Sequence, residues 1–304
     1  MNGFFSLLKR NCLVFLRDKG AVIMSMLSMA IVLLLMGIFL GNMNVEEITD
    51  LLKQYGGERD EAADLQNAKI LVHYWTLAGI TVVNAVMASL TVMGQMISDS
   101  SENRLASFYC APVSKGVISL SYITSSVVIG TAMCLAVMAA YMGYIAAIGG
   151  EVLPVKDILL AALYTFMTVC IFSLIMYLAA MFVKSTGVWS GIGTVVGTLA
   201  GFAGAIYLPM GSLAEGAAAV LKFIPILHGT SLLRRACCGE ILQKTFDGLP
   251  KEVLEEYNKY MGITVEMGDK TLTDSAQILF VCLFGLAALA AILIISRKRR
   301  ASDR

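Results

Sequence analysis

Apolar residues fall into six runs that are long enough to cross a bilayer as helices, at 21–41, 71–97, 117–148, 158–183, 188–207 and 273–296. Each approaches or exceeds the roughly 20 residues needed to cross about 30 Å of hydrocarbon at 1.5 Å per residue. A seventh apolar piece, 208–229, is interrupted by Pro209, Gly211, Gly216 and Pro225 and holds Glu215 and Lys222. Prolines and charges inside so short a run predict a re-entrant or interfacial segment, not a straight span. The pattern predicts an all-α polytopic membrane protein: one transmembrane domain over 1–304 with six transmembrane helices and a re-entrant helical segment before the last span.

Polar stretches between the runs add shorter elements. Residues 2–18 place Phe4, Phe5, Leu7, Leu8, Val14, Phe15 and Leu16 on a broad face at 100° per residue, with Lys9, Arg10 and Arg17 to one side. That is the signature of an N-terminal helix lying in the headgroup plane. The loop 98–116 predicts a short helix, with Asp99 or Ser100 as its cap, carrying Glu102, Leu105 and Phe108 and ended by Pro112. Two readings of that loop stay open. Leu105 and Phe108 dock on a cytoplasmic partner, or they bury against the spans. A polar stretch at 238–272 contains a second helix over 250–260, and 45–64 reads as helix broken at Gly56-Gly57.

Composition supports a membrane protein, because 58% hydrophobic and 15% charged residues leave too little polar surface for a soluble domain. The net charge of +1 conceals an asymmetry. With both termini inside, twelve bases face four acids on the cytoplasmic side, and eleven bases face eighteen acids outside. The clusters at 10–19 and 297–300 decide the orientation, with both termini cytoplasmic. The expected location is the plasma membrane, with lipid contact and no nucleic-acid partner. The first span is too long for a signal-peptide core and is expected to remain.

The sequence carries no apparent chemistry of its own. No G-x-x-x-x-G-K-[ST] occurs, His73 and His228 sit in separate segments, and the seven cysteines lack zinc-ligand spacing. Cys237 and Cys238 read as small apolar residues, since a disulfide between neighbours is strained. The chain is therefore expected not to be an enzyme and to need neither metal nor cofactor.

Within the spans, Asn84, Thr91 and Gln95 share one helical face and either line a pathway or bond a neighbouring helix. Gly193, Gly197 and Gly201, four apart, form a face that another helix can approach closely. No acid or base lies deep in any of the six spans, which disfavours an ion-coupled carrier.

Three motifs in order then carry a resemblance: the "FLRDKG" exit of the first helix, the Glu102 loop ending in "APVSKG", and "YLPMGSL…KFIPILHGTSLLRR". Together they resemble the permease subunit of type-2 ABC exporters over essentially the whole chain. The resemblance implies a coupling helix matching 99–110, with Asp99, Glu102, Leu105, Phe108 and Pro112 meeting a separate ATPase subunit. It implies that 208–229 is an outer gate holding Pro209, Glu215 and Pro225. A second copy, or a homologous permease, would complete a pathway lined chiefly by the second and fifth spans, and the glycine face would rearrange during the cycle. The exported substrate is undefined by any residue. The polar stretch 238–272 is longer than many relatives carry and reads as an external insertion. Two other classes remain, an ATP-independent carrier or channel and a non-transporting scaffold or sensor.

Overall fold

The computed structural model of the chain describes residues 2–20, 22–23, 41–110, 112–268 and 270–302. The predicted first span, 21–41, lies outside these residues apart from 22–23 and 41. In chain order the helices are α1 (Asn2–Arg17), α2 (Gly41–Tyr55), α3 (Glu61–Ser101), α4 (Arg104–Cys110), α5 (Lys115–Ala147) and α6 (Val155–Ala180). They continue with α7 (Thr186–Ala203), α8 (Glu215–Leu221), α9 (Pro225–Thr245), α10 (Lys251–Tyr260) and α11 (Asp274–Ser302). The strands among the described residues are one antiparallel pair of two residues each, β1 (Glu266–Met267) and β2 (Lys270–Thr271).

Four helices, α3, α5, α6 and α11, are long and apolar enough to cross a membrane. The chain is an all-α polytopic membrane protein. The helix at the fifth predicted span, α7, has 18 residues, many of them Gly or Thr, and is not among these four. The proline-broken segment forms a 3-10 turn at Met210–Ser212, then α8, then α9 at an angle of 84° to it. Pro225 sits in the first turn of α9, where its missing N–H costs no helical bond.

Two boundaries differ from the sequence expectation. The predicted second span, 71–97, is the middle of a 41-residue helix, α3, started by Asp60, whose side chain accepts from the N–H groups of Ala62 and Ala63. That helix continues through Asp99, so Asp99 and Ser100 do not cap the short helix α4. Its break falls instead at Glu102 and Asn103, where Asn103 has φ of +58°, a left-handed conformation that asparagine tolerates. The polar stretch from 238 likewise begins inside α9, which runs on to Thr245.

Helix α3 lies at the centre, with α2, α5, α6, α7 and α9 packed around it. It is buried almost continuously from Ile70 to Ile97, as a helix that is apolar on every side requires. The surrounding helices instead turn apolar side chains outward, among them Leu159, Leu163 and Phe166 on α6 and Leu279, Leu283 and Leu286 on α11. Such continuous apolar faces belong in hydrocarbon.

Close approach to α3 depends on Gly79. A Cβ there would lie 2.8 Å from Cγ1 of the buried Ile206, just past the end of α7. Gly79→Ala is expected to cost about 1–3 kcal/mol by overpacking, seen as a lower thermal unfolding midpoint of the detergent-purified protein.

Candidate functional site

Two polar clusters stand out against the apolar body, one where α1, α3, α4 and α5 meet and one at the far end of the α3–α9 pair. The first centres on Asp99, which is 1% exposed near the end of α3. Arg10 of α1 grips it with both terminal nitrogens: Nη2 donates to Oδ1 at 2.7 Å, and Nη1 donates to Oδ2. Tyr122 of α5 donates its hydroxyl to Oδ2 at 2.6 Å. The two-pronged guanidinium–carboxylate pairing fixes orientation as well as charge. The Asp99 hydrogen bond, outweighing the opposing effect of burial, raises the Arg10 pKa above its ordinary value.

The short helix α4 joins this cluster. Phe108 lies under the Arg10 guanidinium, 5.2 Å from ring centroid to charge, and Arg104 approaches Asp99 to 3.6 Å while pairing with Glu102. Gln95, with its amide turned to satisfy both ends, accepts from Arg10 and donates to the Asn11 carbonyl, each at 3.1 Å. One buried carboxylate thus ties α1 to α3, to α5 and to the loop helix α4.

The residues singled out in the 98–116 loop separate by burial. Asp99 is internal, and Leu105 and Phe108 pack against the protein's own core. Glu102 and Pro112 are exposed. Arg10 is read from the sequence only as one of the bases beside the apolar face of the first helix, and Arg104 and Tyr122 are not singled out there. A signal existed, because an acid at the end of an apolar helix needs a base, and Arg10 is one of the few bases on an adjacent amphipathic element.

The remaining candidates also divide. Asn84 donates to Sγ of Cys134 on α5 at 3.3 Å, Thr91 bonds its own helix at Met87, and Gln95 faces α1. The three share a helical face yet serve three different partners. A serine chain lies beside them, with Ser126 Oγ 2.9 Å and Ser89 Oγ 3.3 Å from Ser173 Oγ, so α3, α5 and α6 are cross-linked inside the bundle. The glycines of α7 meet their own chain: a Cβ on Gly193 would touch Leu90, one on Gly197 would touch Met87, and one on Gly201 would fall 2.2 Å from the Tyr207 ring. The opposite face of α7 exposes Val188, Val195 and Leu199.

The second cluster surrounds Arg234, which is fully buried on α9. Its Nη1 donates to the carbonyls of Met261 (3.0 Å) and Gly262 (3.3 Å), and its Nη2 donates to that of Ala205 (2.7 Å). The guanidinium stacks 4.1 Å from the Trp75 ring, whose Nε1 donates to the Met261 carbonyl at 2.8 Å. No carboxylate among the described residues pairs with it. Carbonyl dipoles and an aromatic face carry the charge instead. Arg235 continues the grip, donating to the carbonyls of Ile263 (3.1 Å) and Leu272 (3.0 Å) and pairing with Asp274 at the start of α11.

The broken segment hangs from this clamp. Pro209 precedes the 3-10 turn, Glu215 opens α8 exposed to solvent, and Pro225 begins α9. His228 Nε2 lies 2.8 Å from the Lys222 carbonyl and holds the bend between α8 and α9. His73 contacts the Tyr141 hydroxyl at 2.9 Å. Cys237 and Cys238 are both buried with free thiols. Among the described residues, no three His, Cys, Asp or Glu come together as a metal site.

The family model described as ABC-2 type transporter matches residues 2–237, from α1 through the node and the broken segment to three residues past Arg234. The chain belongs to the ABC-2 type transporter family. No curated protein matches it. Membership makes the chain a membrane permease subunit and implies association with an ABC ATPase subunit. Both polar clusters therefore belong to an ABC-2 permease, although Met261 to Asp274, which complete the Arg234 clamp, lie beyond the matched region.

Proposed function

We propose that this chain is the transmembrane subunit of an ATP-driven exporter, working as a dimer with a separate ATPase on its cytoplasmic face. The observation that supports this reading best is the Asp99 node, which links the loop helix α4 rigidly to α1, α3 and α5. A push on α4 from outside has a direct path into the central span, because Arg10 stands between Phe108 and Asp99. In this reading the chain crosses six times, with 21–41, α3, α5, α6, α7 and α11, both termini are cytoplasmic in the plasma membrane, and α8–α9 is a re-entrant gate in the outer leaflet. The exposed face of α7 meets a second copy or a homologous permease.

Energy enters only through the partner. ATP binding draws the two ATPases together, displaces both α4 helices, and favours the outward-open arrangement by as much as ATP prefers it. Of the loop residues, exposed Glu102 and Pro112 meet the ATPase surface, while Leu105 and Phe108 transmit the displacement inward. Glu102→Lys in the reconstituted complex is expected to reduce substrate-stimulated ATP hydrolysis and transport by about tenfold while membrane insertion is retained. Normal coupled export by that variant would overturn the reading.

A further inference from the structure

Between α8 and the stretch from α10 to β1 lies a cavity of about 140 Å³, lined by Lys222, Lys259, Thr264 and Glu266 together with Met210 and Val265. Lys259 pairs with Glu266 at 2.7 Å, which neutralises one cation. Lys222 has no carboxylate partner among the described residues. Its carbonyl lies 2.8 Å from His228 Nε2, which fixes the backbone from which the side chain starts. A lysine without a carboxylate partner among the described residues therefore stands in the wall of a cavity large enough for a phosphate-sized group.

The surroundings specify what kind of anion fits. On either side of Lys222 the chain exposes Val220 (62%) and Phe223 (64%), large apolar side chains with no cover. The depth agrees, because 20 residues of α3 separate the cytoplasmic Asp99 from Gly79, about 30 Å of helix. Gly79 touches Ile206, and Met210 at the cavity lies four residues further along the chain. On the membrane orientation argued above, on which this inference rests, the cavity stands at the outer headgroup level. A cation beside exposed apolar side chains at that depth suits a phosphate on two acyl chains.

We propose that this cavity binds the phosphate of an outer-leaflet phospholipid headgroup, held by Lys222 with Lys259 and Thr264 behind it and with Val220 and Phe223 against the acyl chains. The occupied gate then holds a lipid across the seam between α8 and the stretch from α10 to β1, where α8–α9 would have to move. The same phosphate chemistry is offered by a free inorganic anion, and the experiment separates the two sources.

The full chain with its ATPase partner is purified from nanodiscs containing phosphatidylglycerol, and retained lipid is counted by native mass spectrometry. Wild-type protein is expected to retain one phosphatidylglycerol per permease with about tenfold greater occupancy than Lys222→Gln, with Lys222→Arg close to wild type. Inorganic phosphate that displaces the lipid competitively assigns the same cavity to phosphate chemistry; phosphate protection without any retained lipid assigns it to a free anion. Equal retention by wild type and Lys222→Gln, with no effect of phosphate, overturns the proposal. Thermal unfolding of Lys222→Gln at the wild-type midpoint excludes misfolding as the cause. Labelling of Glu215→Cys by a membrane-impermeant maleimide on whole cells tests orientation separately. Labelling together with equal retention sinks the lipid site alone, whereas absence of labelling sinks the outward placement itself.

Discussion

Arg234→Ala is expected to be the most damaging single substitution in the described structure, lowering stability by about 3–5 kcal/mol. The loss has three sources. The carbonyls of Gly262 and Ala205 lose their donor and that of Met261 keeps only Trp75 Nε1, the Trp75 ring loses its stacked partner, and a cavity of guanidinium size remains. Ala205 also holds a left-handed φ of +49°, a strain that its bond to Arg234 helps to offset. Lysine restores charge but not the fork, so Arg234→Lys is expected to recover only part of the loss. The check is the thermal midpoint of purified protein, together with protease sensitivity of the 246–272 segment, which should rise sharply in the alanine variant and modestly in the lysine one. A wild-type midpoint for Arg234→Ala would show that the clamp holds nothing.

Asp99→Ala is expected to have the second-largest effect, about 2–4 kcal/mol in stability together with loss of ATP-driven transport. Removing the carboxylate leaves Arg10 half-buried with no acid and Tyr122 with no acceptor. The consequence reaches function because the same carboxylate anchors α1 and faces Arg104 of α4. Arg10→Ala should cost less, since Tyr122 and Arg104 still contact Asp99. The double variant Arg10→Ala/Asp99→Ala is expected to cost less than the two single changes added together, a coupling of about 1–3 kcal/mol measurable from unfolding midpoints. Strict additivity would mean that the pair does not act as a unit. Asp99→Asn keeps the shape but not the charge and separates packing from pairing.

Much of the fold was legible because bilayer-crossing helices announce themselves by composition alone. The apolar runs coincide with α3, α5, α6 and α11, and the helix expected over 250–260 appears as α10. The break near Gly56 also appears, with α2 ending at Tyr55. Helix ends were less legible. Asp99 looked like a cap because a carboxylate before a short helix commonly is one, yet here tertiary partners from α1 and α5 satisfy it and α3 runs on.

The sites were legible in outline only. The sequence pointed to the 98–116 loop and to the proline-broken segment as the informative polar regions; the first cluster centres on Asp99 in that loop, whereas the second, around Arg234, lies just past the broken segment. It did not separate Glu102, which lies exposed at the break after α3, from Phe108, which packs inward from α4, because the surroundings of both come from distant parts of the chain. Nor did periodicity separate Asn84, Thr91 and Gln95. A shared helical face is a local property, and the partner at each height is not.

By itself, the sequence determined that this is an all-helical membrane protein, since burial of apolar length in hydrocarbon depends only on local composition. The motifs also pointed to its family. Only the tertiary structure decided that Arg10 and Asp99, 89 positions apart, share an ion pair around a buried carboxylate, and that Arg234 binds carbonyls from two other segments of the chain. The reason is physical. A buried charge must be met by whatever polar groups folding brings beside it, and those groups carry no mark of their destination in the order of residues.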